Sequence, residues 1–107
     1  FSQPEIASVG MTEEKAIQLI GKENIKVYRS TFTPLSRSIP KKGSKCILKL
    51  IVDRNNNKVL GCHMLGEQSS EIIQMASVSL MLGAKKSDFD NTMALHPTIA
   101  EEFVTMR

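Results

Sequence analysis

The chain has 107 residues, of which 41% are hydrophobic and 23% are charged, and its formal net charge is +3. The apolar fraction and the regular apolar spacing exclude an intrinsically disordered chain. A chain of this size buries roughly 65% of the surface of its unfolded form, which is enough for one core. No apolar run approaches the ~20 residues of a membrane-spanning helix, and no signal-peptide pattern opens the sequence. We expect residues 1–107 to form one cytoplasmic domain that contacts no membrane. The start at Phe1 predicts a fragment of a longer protein.

Charge and cysteine usage restrict the classes of partner. The basic excess is concentrated in the segment 37–49, which permits contact with an anionic molecule. Aromatic residues make up 5% of the chain and Trp is absent, so a stacking platform for bases is not expected and we predict no nucleic-acid partner. Cys46 and Cys62 lie in apolar runs without CxxC or zinc spacing, which favours two buried thiols, a reducing compartment and no metal site.

The first part of the chain predicts an extended segment, a helix, a strand and a loop. Residues 1–9 are extended in character, and Thr12 then begins a helix that Gly21 ends. Residues 25–32 alternate between apolar and polar side chains, which is typical of a strand. Residues 33–44 form a long loop, because prolines, a glycine and several hydroxyl residues interrupt any regular element.

The middle of the chain predicts a β-hairpin. Residues 45–53 and 58–66 have the pattern of strands, and the asparagine-rich stretch 53–57 has the chemistry of a turn. A turn centred in that stretch places Cys46 and Cys62 about three residues out of register, which is roughly 10 Å at the rise of a strand. That separation is too large for a disulfide.

Residues 67–82 form the longest predicted helix, which Gly83 closes. Apolar residues cover this helix nearly all round, so it is either buried on two sides or covered by another subunit. A short helical turn follows over 87–90, with Asp90 as its capping acid. Because strands and helices do not alternate as βαβ units, the pattern predicts an α+β fold. We expect a mostly antiparallel sheet of about four or five strands, with helices packed on it and the 69–82 helix across one face.

The C-terminal segment carries one candidate for acid–base chemistry. Pro97 disfavours helical backbone at His96, and Glu101 lies in the first turn of a helix that Thr98 caps. A carboxylate there can accept a hydrogen bond from one ring nitrogen and leave the other to move a proton. A capped helix beside an ordinary surface histidine explains the same residues, and spacing alone leaves both interpretations open.

Several segments together resemble a known family. They read FSQPEI at 1–6, VGMTE at 9–13, DFDNTMALHPT at 88–98 and AEEFVTMR at 100–107. Over essentially the whole chain, the sequence resembles the C-terminal dimerisation domain of the pyridine nucleotide-disulfide oxidoreductases, which are flavin-dependent disulfide reductases. The His-Pro-Thr motif is shared across that family, whereas DFDNT and EEFVTMR point to its glutathione reductase branch or the trypanothione relative.

The resemblance implies a homodimeric flavoprotein with separate FAD and NADPH domains, in which this domain of one subunit completes the active site of the other. His96 matches the catalytic histidine that moves protons during disulfide exchange, and Glu101 matches the acid that orients it. The backbone at His96 and Pro97 is implied to approach the flavin of the partner subunit. The implied activity is the NADPH-dependent reduction of glutathione disulfide, with this domain supplying the His–Glu pair.

The resemblance also implies substrate contacts. Glu102 and Thr105 match positions near the glutathione site. Leu35 and Ser36 fall in the loop where the family often places a Met-Tyr pair that touches substrate, and this sequence lacks the Tyr.

Both cofactors are expected in the full-length enzyme and neither in this chain alone, because no G-x-G-x-x-G follows a strand here. We therefore expect the isolated chain to be inactive. An alternative from another class is a stand-alone basic α+β binding module whose segment 37–49 contacts an anionic partner.

Overall fold

The computed structural model describes residues 6–32, 46–66, 69–92 and 101–106, with the backbone alone at Phe32, Glu101 and Glu102. The strands are β1 (Ile6–Gly10), β2 (Ile25–Phe32), β3 (Cys46–Asp53) and β4 (Val59–Leu65). The helices are α1 (Glu13–Ile20), α2 (Ser69–Met81), α3 (Lys86–Asp90) and α4 (Glu101–Thr105), and a 3-10 turn spans Lys22–Asn24.

The four strands form one sheet in the order β1-β4-β3-β2, and every pairing is antiparallel. This confirms the predicted α+β fold, for which we expected about four or five strands, with four in the residues that the structure describes. The first two strands lie at opposite edges of the sheet, so α1 and the 3-10 turn carry the chain across one face. Within the described ranges, no helix is long and apolar enough to cross a membrane.

Each face of the sheet is packed by different helices. On one face, alternate side chains of β3, including Leu48 and Leu50, join Ile73 of α2, Phe89 of α3 and Phe103 of α4 in the larger core. On the other face, α1 covers a smaller cluster of Ala16, Ile25 and Ile51. The central strands are therefore covered on both faces over part of their length, which explains why five of the eight β3 residues are buried, including Leu50, Ile51 and Val52 in a row.

The ends of α1 and α2 follow from local chemistry, as predicted. The side-chain oxygen of Thr12 accepts a hydrogen bond of 3.1 Å from the backbone N–H of Lys15, and Gly21 ends α1 with a φ of 91°. Gly83 follows α2 with a φ of 75°. Its N–H donates to the carbonyl of Leu80, and the next N–H, that of Ala84, donates to Ser79, both at 3.0 Å. That pair of bonds is a Schellman motif.

A one-residue bulge in β4 shifts the hairpin register. Ile51 pairs with Gly61 while Val52 pairs with Val59, so Leu60 is the extra residue. Beyond the bulge, Cys62 pairs with Leu50, which makes the two cysteines four residues out of register instead of the three we predicted. Their separation along the strands is therefore ~13 Å. Neither cysteine forms a disulfide, as expected.

The capping acid of α3 was assigned to the wrong residue. The helix begins at Lys86, one residue earlier than predicted, which makes Asp88 the third helical residue. The carboxylate of Asp88 accepts a hydrogen bond of 2.8 Å from the backbone N–H of Lys85. Asp90 instead pairs with the side chain of Lys86.

Two paired glycines allow the chain to pass closely from β1 into α1. Gly10 pairs with Gly61, and the N–H of Met11 donates to the carbonyl of Leu60 at 2.9 Å. A Cβ on Gly61 would lie 2.1 Å from the carbonyl oxygen of Met11, and a Cβ on Gly10 would lie 2.2 Å from that of Leu60. These distances are shorter than real Cβ contacts, so neither position accepts a side chain without a shift of backbone.

We expect Gly61→Ala to destabilise the fold more than Gly83→Ala. The first change forces a methyl group against backbone, a clash of the kind that costs on the order of 3 kcal/mol or more. The second places it 3.5 Å from the flexible Lys58 side chain and adds mainly the cost of a positive φ, about 1 kcal/mol. Urea unfolding of the two variants and the parent protein measures this difference, and equal losses would contradict it.

Candidate functional site

The described structure includes part of the site expected from the sequence. Leu35, Ser36, His96 and Pro97 lie outside the described residues. Glu101 and Glu102 are the first residues of α4 as the structure gives it. Thr105 lies at the end of this helix with an exposed side chain.

The helix α4 is fixed to the domain from its inner side. Phe103 and Met106, three residues apart, are both buried in the larger core. The carbonyl oxygen of Met106 accepts a hydrogen bond of 2.7 Å from the ammonium of Lys86. The backbone that carries Glu101, Glu102 and Thr105 therefore has a set position relative to the sheet.

Lys86 is the residue at this site that the sequence analysis missed. It is 3% exposed. Its ammonium binds the carboxylate of Asp90 and the Met106 carbonyl, and it lies 4.5 Å from the centre of the Tyr28 ring. In the sequence, Lys86 follows Lys85 in a short polar stretch, which suggests an exposed basic pair. The spacing of four residues between Lys86 and Asp90 is the one local sign of an ion pair.

The opposite face of the sheet carries a polar row with structural contacts. Lys49 lies 2.8 Å from the carboxylate of Glu13. The hydrogen bond from Lys49, together with its charge, lowers the pKa of Glu13, against a smaller opposing effect of burial. Of the basic residues in the segment 37–49, the structure describes Lys49. Its ammonium is already paired with Glu13.

His63 lies beside Lys49 in the same row. Its Nε2 lies 2.8 Å from the carbonyl oxygen of Met11. Because a carbonyl oxygen only accepts, Nε2 carries the proton. His63 therefore holds the start of α1 against the sheet.

The two thiols lie in the larger core and not in a reactive environment. Cys46 and Cys62 are both buried, and burial raises the pKa of Cys62 to about 12. A thiol with that pKa carries almost no thiolate near neutral pH, and the thiolate is the form that exchanges with disulfides. Among the residues that the structure describes, no group of three His, Cys, Asp or Glu side chains converges as a metal site.

The helix α2 has an exposed apolar face. Its outer face, defined by Met75, Val78, Met81 and Leu82, consists of side chains that are between 53% and 87% exposed. Ile73 on the inner side is buried, and Ile72, Ala76 and Leu80 pack against the same core. The inner side of α2 is therefore part of the core, whereas its outer side is exposed on the single chain. A contiguous apolar surface of this kind is typical of an interaction site.

Comparison with known proteins identifies the class. The family described as the pyridine nucleotide-disulphide oxidoreductase dimerisation domain matches residues 1–107. The chain therefore belongs to that family, which confirms the resemblance found in the sequence.

Individual relatives carry a more specific name. Proteins named glutathione reductase from Nostoc sp., Yarrowia lipolytica and Burkholderia cepacia are 45%, 44% and 42% identical to the chain over 107 residues. The aligned region is the whole of this chain and 23% of the length of each of these relatives. The chain thus corresponds to about a quarter of each relative.

We expect neither thiol of the folded chain to react with an aromatic disulfide reagent at pH 8. Both are buried, and the raised pKa of Cys62 keeps it protonated until well above that pH. In denaturant, both cysteines should react at the rate of an exposed thiol. Absorbance of the released aromatic thiolate measures both rates. Rapid reaction of one cysteine in the folded chain would contradict the prediction.

Proposed function

We propose that this chain is the C-terminal dimerisation domain of a longer, FAD- and NADPH-dependent glutathione-disulfide reductase in the cytoplasm. The single observation that carries the proposal is the family match over residues 1–107, together with 42–45% identity to proteins named glutathione reductase. The direct test is an assay of the full-length protein for oxidation of NADPH by glutathione disulfide, with trypanothione disulfide as the competing substrate. Activity on neither disulfide would overturn the proposal.

The proposed partner is a second copy of the same subunit. The outer face of α2 supports this, because its apolar side chains are exposed on the single chain and the family is a dimerisation domain. In a two-fold dimer, the same surface of both subunits forms the interface, so the outer face of α2 would contact the second subunit. Such packing removes from water the apolar area that the sheet does not cover.

The cofactors are proposed to bind to other domains of the full-length protein. In the part of the chain that the structure describes, every strand pairing is antiparallel, so the βαβ unit that binds dinucleotides is not formed there. FAD and NADPH, when bound, supply the two reducing equivalents. This chain contributes the residues that handle protons and substrate.

Proton movement is proposed for His96, with Glu101 as its orienting partner. Reduction of glutathione disulfide releases one glutathione as a thiolate when an enzyme thiolate attacks the sulfur–sulfur bond. The imidazolium of His96 stabilises the attacking thiolate by charge and then donates its proton to the departing thiolate. The carboxylate of Glu101 fixes the ring tautomer and favours the charged ring.

Substrate contacts are proposed for Glu102, Thr105, Leu35 and Ser36, and contact with the flavin for the backbone at His96 and Pro97. Thr105 supports this assignment because its side chain is exposed at the end of a helix whose other side is buried. A hydroxyl at that position can donate to or accept from a peptide such as glutathione.

A charge on the outer face of α2 should weaken the dimer. In the full-length protein, Met81→Glu replaces an apolar side chain that is 87% exposed in the single chain with a carboxylate. We expect the dissociation constant of the dimer to rise about tenfold or more, which corresponds to about 1.4 kcal/mol or more. Sedimentation velocity across a dilution series measures the change.

Leu19→Glu is the matched control, because it adds the same charge to an exposed apolar residue of α1 on another surface. We expect it to leave dimerisation unchanged. Equal effects of both variants, or no effect of Met81→Glu, would remove the outer face of α2 from the interface.

His96→Gln should slow disulfide reduction by about 10²–10⁴-fold, which is the usual contribution of a general acid–base group. Reduction of the flavin by NADPH should keep its rate, because hydride transfer does not use this proton. Glu101→Gln should cost less, since it removes orientation and not the proton carrier. Rapid-reaction absorbance of the flavin separates the two half-reactions.

His63→Gln is the control for loss of a histidine, because His63 contacts backbone away from α4. It should keep full turnover in the folded protein. If His63→Gln strongly slowed disulfide reduction and His96→Gln did not, the proton-transfer role proposed for His96 would be wrong.

The proposed sharing of the site between subunits has its own test. Heterodimers that combine a subunit disabled at His96 with one disabled at the redox cysteines of the other domains should regain one working site. If such heterodimers form and stay inactive, the histidine does not act across the interface.

A further inference from the structure

Lys86 joins three parts of the fold that are distant in sequence. Its ammonium pairs with Asp90 of α3, donates 2.7 Å to the carbonyl oxygen of Met106 at the end of α4, and lies 4.5 Å from the centre of the Tyr28 ring of β2. The side chain is 3% exposed. A buried ammonium is stable only when groups such as these replace its water.

The helix α4 is too short to hold its position alone. It has five residues as described, and isolated helices of that length do not persist in water. Its placement depends on the burial of Phe103 and Met106 and on the bond from Lys86 to the last carbonyl. A cation at the carbonyl end of a helix also complements the helix dipole.

The contact with Lys86 is close enough to Glu101 to control its position. At 1.5 Å per residue, the backbone of Glu101 lies ~7.5 Å along the helix from Met106. A small rotation of α4 about its C-terminal end therefore displaces Glu101 by a distance that matters, because a misplacement of ~1 Å at a catalytic site costs up to ~10²-fold in rate.

We propose that Lys86 is a positioning residue that sets the location of α4, and through it the Glu101 carboxylate that serves the acid–base site. This inference rests on the proposed function for its catalytic consequence. Lys86 does not touch substrate or cofactor in this scheme. It acts through the backbone of α4, with Asp90 and the Tyr28 ring holding the ammonium on its other sides.

The test uses the full-length protein with Lys86→Met, which keeps an unbranched side chain and removes the ammonium. Lys85→Met is the matched control, because Lys85 is adjacent and exposed and its loss removes the same charge. We expect Lys86→Met to slow the disulfide half-reaction by about 10–10²-fold, while reduction of the flavin by NADPH stays within about twofold of the parent. Lys86→Arg, which restores a cation and its donors, should recover most of the loss.

Hydrogen exchange measures the position of α4 independently of activity. Backbone amides of residues 103–106 should exchange at least about tenfold faster in Lys86→Met than in Lys85→Met, with the amides of β3 unchanged. If Lys86→Met does not fold, Asp90→Asn decides the question, because it weakens the same ion pair while keeping the shape of the side chain.

The outcomes separate the two proposals. Parent-like disulfide reduction together with parent-like exchange in a folded Lys86→Met or Asp90→Asn protein would overturn the positioning role. A purely structural lysine would lower both half-reactions in proportion to the folded fraction, which also overturns it. If the parent protein reduces no disulfide, the proposed function fails, and faster exchange at 103–106 alone would still support the anchoring of α4.

Discussion

The single extra residue at Leu60 determines how this sheet presents its side chains. Before the bulge, Val59 faces the larger core, and after it Cys62 and Met64 face the same core. An unbroken alternation would send one of these groups to the opposite face, because the side-chain period of a strand is two residues. Leu60 itself packs with the α1 cluster. The bulge thus keeps both ends of β4 on the same face, in the larger core.

The close passage of Met11 over β4 depends on the same irregularity. Leu60 supplies the carbonyl that binds the N–H of Met11, and Gly61 leaves the space that the carbonyl of Met11 occupies. His63 then donates to that carbonyl from the same face. The chain can therefore enter α1 directly from an edge strand and cover the second face of the sheet, which leaves the first face to α2, α3 and α4.

Local pattern was sufficient for elements whose ends are decided by local chemistry. The limits of β2, the cap of α1 at Thr12 and the close of α2 at Gly83 all follow from nearby residues. The bulge was missed, although a lone glycine within a strand, Gly61, is a recognised signal for one. The start of α3 was missed by one residue, and this moved its capping role from Asp90 to Asp88.

The proposed site follows from the family resemblance, and its histidine, His96, lies outside the residues that the structure describes. His96 and Glu101 came from matching motifs, since their spacing alone fitted an ordinary capped helix. The role of Lys86 could not be found locally, because its burial depends on Tyr28 and on the Met106 carbonyl, which are distant in sequence. Long-range packing of this kind leaves no periodic trace in the chain.

The strand order also has a consequence for synthesis on the ribosome. Ile6 of β1 pairs with Leu65 of β4, so the first strand must wait for about 60 further residues before its neighbour exists. At ~5–20 residues per second, that delay lasts roughly 3–12 s. The β3–β4 hairpin is made from adjacent segments and has no such delay. We therefore expect β1 to join the sheet last, although it leaves the ribosome before the other three strands.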